Sequence, residues 1–267
     1  MTVNTAAQQH RTAAPGRVMS AWRLEWLRLT RSHRATVLLA VYVFFGLMGP
    51  LLARYMARIA AFASSGVTIV VPAPRPGDGI VNFVNQGSQT GMIVLLVIAA
   101  GVFSFDARPG LATFYRTRVS GSFALIWPRF VATAALAVTA YVLGTAAAWF
   151  ETTVVLGGLR PGRVLAGVAV EAVFLLFATA VVAAASTFGR STLSTAGISV
   201  VVILLVLPVA GIVEAVGVWL PTRLLTAPAA LVTDAVAEDY LRPVAVSLLA
   251  TVLLLVLAVH RAGRREL

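Results

Sequence analysis

The sequence contains neither cysteine nor lysine, and it is poor in charged residues of either sign. Without cysteine the chain forms no disulfide, no thiolate metal site and no cysteine nucleophile. All 21 basic residues are arginines. This excludes a Walker A loop, which needs a lysine on the nucleotide phosphates, and it equally excludes a lysine Schiff base. The chain therefore does not hydrolyse ATP through a P-loop of its own.

Charged residues make up only 12% of the 267 residues, whereas hydrophobic residues make up 59%. A soluble domain carries about 25% charged residues, and the hydrophobic residues here form runs long enough to cross a bilayer. The formal net charge of +11 does not indicate nucleic-acid binding, because the arginines flank these runs instead of covering one soluble surface. The composition predicts an integral, all-α membrane protein that contacts the lipid bilayer and binds no nucleic acid.

Six hydrophobic segments predict a polytopic membrane protein with six transmembrane helices. Each is close to the roughly 20 residues that a bilayer core requires. Residues 1–16 are small and polar and predict a disordered cytoplasmic tail, not a signal peptide, and residues 261–267 predict a second tail. The predicted spans, within a domain of residues 35–260, are 35–53, 88–105, 130–150, 164–188, 193–213 and 243–260.

The arginines are divided unequally between the two sets of connections. Fourteen lie in the N-terminal segment, residues 104–129, the turn after the fourth span and the C-terminus, and seven lie in the other connections. Because cytoplasmic loops carry the excess of basic residues, this predicts that both termini are cytoplasmic. We expect the protein in the inner (plasma) membrane, crossing it several times.

Two connections on the predicted outer side are long. Residues 54–87 include VVPAPRPGDG, a proline- and glycine-rich stretch that predicts irregular structure. Residues 214–242 are broken by Pro221 and Pro228, too polar to span the membrane and too apolar for a free loop. We expect short re-entrant helices there.

Residues 17–34 predict an amphipathic helix before the first span. Trp22 and Trp26 lie on its apolar face, and arginines including Arg23 and Arg28 occupy the opposite arc. Tryptophan opposite arginine is typical of a helix in the headgroup region of the membrane. A solvated basic helix is the alternative interpretation.

Few residues could carry chemistry. The three histidines all lie at predicted cytoplasmic ends, no metal-ligand spacing occurs, and no serine has a histidine at the same depth, so we expect no metal site and no enzymatic activity. Glu171 is the one ionisable residue well inside a predicted span, where burial of a carboxylate is costly. It either faces the translocation path or pins two helices together through hydrogen bonds, and the sequence leaves both open.

The connection after the second span, SFDARPGLATFYRTRVS at 104–120, has an acid, a base and a glycine at its start. Apolar residues then recur at roughly helical spacing with arginines between them. This pattern predicts a helix along the membrane face that offers aromatic and arginine contacts to a soluble partner. The residues predicted to make these contacts are Asp106, Arg108, Gly110, Phe114, Tyr115, Arg116 and Arg118.

The arrangement resembles the permease subunits of type-two ATP-binding-cassette (ABC) exporters. Those subunits have a basic N-terminal elbow helix, six spans with both termini inside, and an acid-then-glycine motif after the second span that introduces a coupling helix. Asp106, Arg108 and Gly110 match the motif's acid, base and glycine, and the pair at 119–120 matches its V-S. Pro109 departs from the motif, as does the lack of a proline before the V-S pair.

The opening segment SAWRLEWLRLTRSHRA is similar to the elbow helix of the same family, with Glu25 and Arg28 in its E-x-x-R/K positions. The resemblance implies a partner ATPase in the cytoplasm that carries the P-loop, ATP and Mg, and a second permease chain, identical or related. It implies no cofactor in this chain. Export follows from the resemblance alone, and the apolar spans favour an amphipathic, lipid-like or drug-like cargo.

Two alternatives stay open. A secondary transporter usually shows internal repeats and several polar residues within the membrane, whereas this sequence shows no repeat and only Glu171. A membrane anchor or scaffold that binds a partner without moving a cargo would also fit the composition.

Overall fold

A computed structural model describes residues 22–23, 25–29, 31–63, 72–104 and 121–264. Within these ranges the chain is almost entirely helical and has no β-strand, and six helices are long and apolar enough to cross a membrane. The predicted all-α fold with six spans is confirmed. The predicted tail at 1–16 and residues 265–267 lie outside the described residues.

The described residues include seven helices of 11 or more residues, of which six are the membrane spans, and a short helix, Glu214–Gly217, in the predicted outer connection before the sixth. Two spans contain a π-helical stretch: Phe83–Ser88 in the second and Val202–Val206 in the fifth. The sixth helix is short and does not span. The helices are α1 His33–Ala63, α2 Pro76–Phe103, α3 Ser122–Val155, α4 Pro161–Ser186, α5 Thr192–Ala210, α6 Arg223–Thr233 and α7 Ala237–Arg264.

One side of the bundle collects the start of α1, the end of α2, the start of α5 and the end of α7. Arg34 of α1 lies against the end of α2. The Oγ of Ser104 donates a hydrogen bond to Oγ1 of Thr195 at 2.9 Å. The guanidinium of Arg261 lies 4.0 Å from the ring centroid of Phe188, in the connection between α4 and α5. We call this the N-terminal side.

The other connections meet at the opposite side. Arg163, at the start of α4, forms an ion pair with Asp234, just after α6, with 3.1 Å between Nη1 and Oδ1. Gly79, near the start of α2, contacts Thr152, near the end of α3. The two groups of connections therefore divide between the sides as the arginine counts grouped them.

In the described part of VVPAPRPGDG, within the first predicted outer loop, residues 72–75 are irregular as predicted, but the chain is helical from Pro76 onward. The helix α1 continues to Ala63, and α2 begins at Pro76. Proline suits the first position of a helix because its missing N–H has no partner there in any case. The carboxylate of Asp78 accepts a hydrogen bond from the backbone N–H of Arg75 at 2.7 Å, and this bond caps the N-terminus of α2.

Other boundaries also move. The helix α3 begins at Ser122, so the last residues of the predicted coupling segment 104–129 belong to the third span. The spans α4, α5 and α7 differ from the predictions by at most six residues at either end. Pro228 lies inside α6 and does not break it, and it packs against Gly167 of α4, which has no side chain.

Glycines bring α1 and α3 together. Gly46 contacts the backbone carbonyl of Gly144, and a Cβ on Gly144 would lie 2.7 Å from the backbone oxygen of Tyr42. Small residues allow such close approach between membrane helices. The contact fixes the depth at which Tyr42 of α1 and Tyr141 of α3 face each other.

Candidate functional site

Glu171 lies in the interior of the bundle, near the middle of α4. It is ten residues from Pro161, which places it about 15 Å along the helix. The side chain is completely buried, and neither carboxylate oxygen has a hydrogen-bond partner among the described residues. Its burial agrees with the prediction of an interior-facing carboxylate.

Two tyrosines share this interior with Glu171. Tyr42 and Tyr141 are both buried, and their ring centroids are 5.7 Å apart in an edge-to-face arrangement. Each lies close enough to Glu171 to interact with its charge. The hydroxyls of Ser88 and Thr145 lie beside that of Tyr141, although no hydrogen bond of ordinary geometry closes between them. We call these five residues from four spans the polar cluster.

The π-helical stretch of α2 ends at Ser88 and helps to form this site. A π-helical turn adds a residue to the helix and so rotates the following side chains, and such turns frequently occur at functional sites. In this protein the stretch buries Ser88 and also Phe83, whose ring centroid lies 5.8 Å from that of Tyr141. One turn later, Gly91 leaves the space that the ring of Tyr42 fills.

The polar cluster contains one carboxylate and four hydroxyls and therefore offers only oxygen atoms. Among the described residues no group of three or more histidine, aspartate or glutamate side chains could hold a metal ion. This part of the chain therefore lacks the several carboxylates that a divalent cation usually gathers. The cluster can bind a partner that brings positive charge or donor hydrogens.

A second buried carboxylate, Glu25, lies at the N-terminal side. It forms an ion pair with Arg129 of α3, with 3.2 Å between Nε and Oε1, and the two side chains are only 9% and 2% exposed. Arg129 is two turns after the start of α3. The pair therefore joins the N-terminal segment to the end of the predicted coupling segment, residues 122–129, which belongs to the third span.

The described residues of the predicted elbow, 22–23 and 25–29, are helical. Trp22 and Trp26 are 41% and 47% exposed, whereas Leu29 is buried with Glu25 against the bundle. Arg28 is exposed and takes part in a further interaction. The tryptophans thus point away from the protein.

All residues predicted to contact a soluble partner lie outside the described residues. Their predicted contact with a soluble partner therefore stays a prediction. They are Asp106, Arg108, Gly110, Phe114, Tyr115, Arg116 and Arg118.

Sequence reasoning missed four members of the polar cluster and the partner of Glu25. Arg129 was counted only toward the charge bias of its connection. Tyrosine is normally found at the membrane interface. The position of Tyr42 and Tyr141 in the middle of apolar runs was therefore the sequence feature that could have indicated a polar site inside the bundle. Hydroxyls within membrane helices mostly bond to the backbone or to a neighbouring helix. Thr179 does so, donating to the carbonyl of Leu175 at 2.8 Å, whereas Thr145 does not.

Two apolar grooves flank α7. One, of about 450 Å³, lies between α4, α5 and α7 and includes Phe177 and Leu254. The other, of about 490 Å³, lies between α3 and α7 and includes Trp127 and His260. Neither is lined by a residue of the polar cluster.

Comparisons with protein-family models, with curated proteins and with solved structures find no match to this chain. Its function is therefore inferred from its own residues, of which the polar cluster and the Glu25–Arg129 pair are the most unusual for a membrane bundle.

Proposed function

We propose that the chain is the transmembrane subunit of an ATP-driven exporter. It would form the translocation path in the plasma membrane, with both termini in the cytoplasm. A separate P-loop ATPase would bind ATP and Mg, and a second permease chain, identical or related, would complete the core. The single observation that supports this proposal beyond the sequence is the Glu25–Arg129 ion pair.

The ion pair connects the two segments that the resemblance assigns to coupling. Glu25 belongs to the elbow-like segment, and Arg129, two turns into α3, is the last residue of the predicted coupling segment 104–129. A soluble ATPase that displaced residues 105–120 would also move the start of α3, and the N-terminal helix would follow through the Glu25–Arg129 ion pair. Separating a buried pair is costly, so the two segments would move together.

The proposed cargo is amphipathic, lipid-like or drug-like. The grooves on both sides of α7 are almost wholly apolar and each could receive a hydrocarbon chain. The polar cluster lies deeper, inside the bundle. An apolar lateral surface beside a polar interior is compatible with a cargo that has both parts.

Affinity purification of the tagged chain, expressed with its native neighbouring genes, tests the proposal. We expect a stoichiometric P-loop ATPase to co-purify, and we expect Tyr115→Ala and Arg116→Glu to abolish this association while the chain still inserts. Arg160→Glu makes the same charge change at an exposed position on the opposite side and should leave the ATPase bound. If the well-expressed wild-type chain purifies alone, the exporter proposal fails.

The proposed orientation is tested with single cysteines, because the chain has none of its own. His33→Cys and Ala73→Cys place a thiol at exposed positions on the N-terminal and the opposite side. We expect a membrane-impermeant maleimide to label Ala73→Cys in intact cells and His33→Cys only after permeabilisation. The reverse pattern would contradict cytoplasmic termini.

The polar cluster favours a second candidate, a secondary transporter driven by an ion gradient. Buried ionisable groups at mid-membrane depth mark ion and proton pathways in such proteins. Transport by the purified chain in vesicles that contain no ATPase, energised only by a sodium or proton gradient, would establish this candidate in place of the first.

A further inference from the structure

We propose that the polar cluster is a binding site for one monovalent cation, either sodium or a proton. The site consists of Glu171 with Tyr42, Ser88, Tyr141 and Thr145, from α4, α1, α2 and α3. This inference goes beyond the transport role and holds whether or not an ATPase partner exists.

The charge of the site calls for a single positive charge. Glu171 is its only carboxylate, and no charged side chain of the described residues acts on it from any neighbouring helix. The titratable groups nearest to it are Tyr42 from α1 and Tyr141 from α3, and a tyrosine carries no positive charge. An isolated carboxylate in hydrocarbon is strongly unfavourable. One monovalent cation neutralises it, whereas a divalent ion would leave an excess positive charge.

The atoms of the site also suit such an ion. The two oxygens of Glu171 and the hydroxyls of the other four residues make six oxygen atoms, and hard cations prefer oxygen ligands. All six are buried and without a hydrogen-bond partner, which is rare for polar groups inside proteins. Sodium would coordinate several of them at once, and a proton on Glu171 would let the carboxyl donate to a neighbouring oxygen.

The occupant is small because the site is enclosed. Glu171, Tyr42 and Tyr141 are between 0% and 1% exposed, and the grooves beside α7 are not lined by them. An organic ammonium group needs room for its substituents beside the charge, whereas a sodium ion or a proton is small enough to lie among buried side chains. Since the ligands come from four different spans, occupancy would hold α1, α2, α3 and α4 together.

The experiment measures the thermal unfolding midpoint of the purified full chain in detergent, with no ATPase present. In the sodium arm, NaCl replaces choline chloride at constant ionic strength and fixed alkaline pH. In the proton arm, pH is lowered without sodium. Ligand that binds only the folded state raises the midpoint, so wild-type protein is expected to gain stability in one arm, and that arm identifies the cation.

Glu171→Gln keeps the shape of the side chain and removes its charge, and we expect it to abolish the response. Glu151→Gln is the matched control: this carboxylate is only partly buried, in α3, and its loss should leave the response unchanged. Tyr141→Phe should weaken the apparent cation affinity by about tenfold, as loss of one ligand oxygen from a bound ion would.

The proposal is overturned if wild type and Glu171→Gln respond alike in both arms, or if wild type responds in neither. Should Glu171→Gln fail to fold, Tyr42→Phe combined with Tyr141→Phe replaces it, and an unweakened response in that variant also overturns the proposal. Because the assay contains no ATPase, its outcome is independent of the exporter proposal.

Discussion

Glu25 and Glu171 are both shielded from solvent, but their surroundings differ in depth and in chemistry. Glu25 lies at the N-terminal side and contacts the guanidinium of Arg129 at 3.2 Å. Glu171 lies about 15 Å along its span, and no described residue forms a hydrogen bond with its carboxylate. Among the described residues, the first carboxylate therefore has a charged partner and the second has none.

Depth explains part of this difference. An arginine near a helix end can be placed at low cost because its long side chain reaches the interface. At the centre of a helix in the bilayer, an arginine costs about 2.5–3.5 kcal/mol on insertion. Tyrosine and serine hydroxyls are cheaper at that depth, but they bring no positive charge. Among the described residues nothing supplies this charge to Glu171, and this is why we propose an external cation there.

The largest expected effect comes from breaking the compensated pair. Arg129→Leu leaves Glu25 buried without its partner, and removing one member of a buried pair costs about 3–5 kcal/mol. We expect a large drop in the thermal unfolding midpoint of the purified chain or loss of folded protein. Glu25→Leu combined with Arg129→Leu should recover most of this loss, because replacing both charges by apolar groups is often neutral.

The exposed pair of Arg163 and Asp234 is the control for this prediction. Its distance is 3.1 Å, but its side chains are 37% and 92% exposed. Exposed pairs contribute about 0–1 kcal/mol, so Arg163→Leu should have little effect. If Arg129→Leu and Arg163→Leu lowered the unfolding midpoint equally, burial of the Glu25–Arg129 pair would add nothing to its contribution to stability.

The number of spans and their grouping by side followed from hydrophobic length and arginine placement, since both are local properties of the sequence. The start of α2 at Pro76 was not predicted. It depends on the hydrogen bond from the backbone N–H of Arg75 to the carboxylate of Asp78, and the composition of a proline-rich stretch does not indicate such a bond. The packing of Pro228 likewise involves Gly167, which is more than 60 positions earlier in the chain. Such contacts are tertiary and have no local pattern.

The candidate site was predictable to a similar extent. Glu171 was evident from its charge inside an apolar run, a signal carried by one residue. The other four residues of the polar cluster were not evident from the sequence. The faces that α1, α2 and α3 turn toward α4 depend on the π-helical stretch and on the glycine contact between α1 and α3. Neither feature gives a periodic signal in the sequence.

An intermediate loss of stability is expected when α1 and α3 are forced apart at the polar cluster. Gly144→Ala would bring a Cβ to 2.7 Å from the backbone oxygen of Tyr42, so α1 and α3 have to separate. Overpacking of this kind costs about 1–3 kcal/mol, and the cluster should lose its cation response together with stability. Gly197→Ala in α5 is the control, since nothing lies within 4 Å of the added methyl group. A Gly144→Ala protein as stable as Gly197→Ala would contradict the close packing.

The smallest effect is expected when one neutral oxygen is removed from the uncompensated site. Tyr141→Phe deletes a buried hydroxyl that has no hydrogen-bond partner, so in sodium-free alkaline buffer the unfolding midpoint should hardly change, as with Tyr55→Phe at an exposed position. A loss of about 2 kcal/mol or more would mean that this hydroxyl already bonds strongly in the empty protein. Its oxygen would then be occupied by a neighbour such as Ser88, Thr145 or Glu171 and would no longer be a free ligand for a cation. A neutral hydroxyl supplies no positive charge, so Glu171 would still differ from Glu25, whose partner is the guanidinium of Arg129.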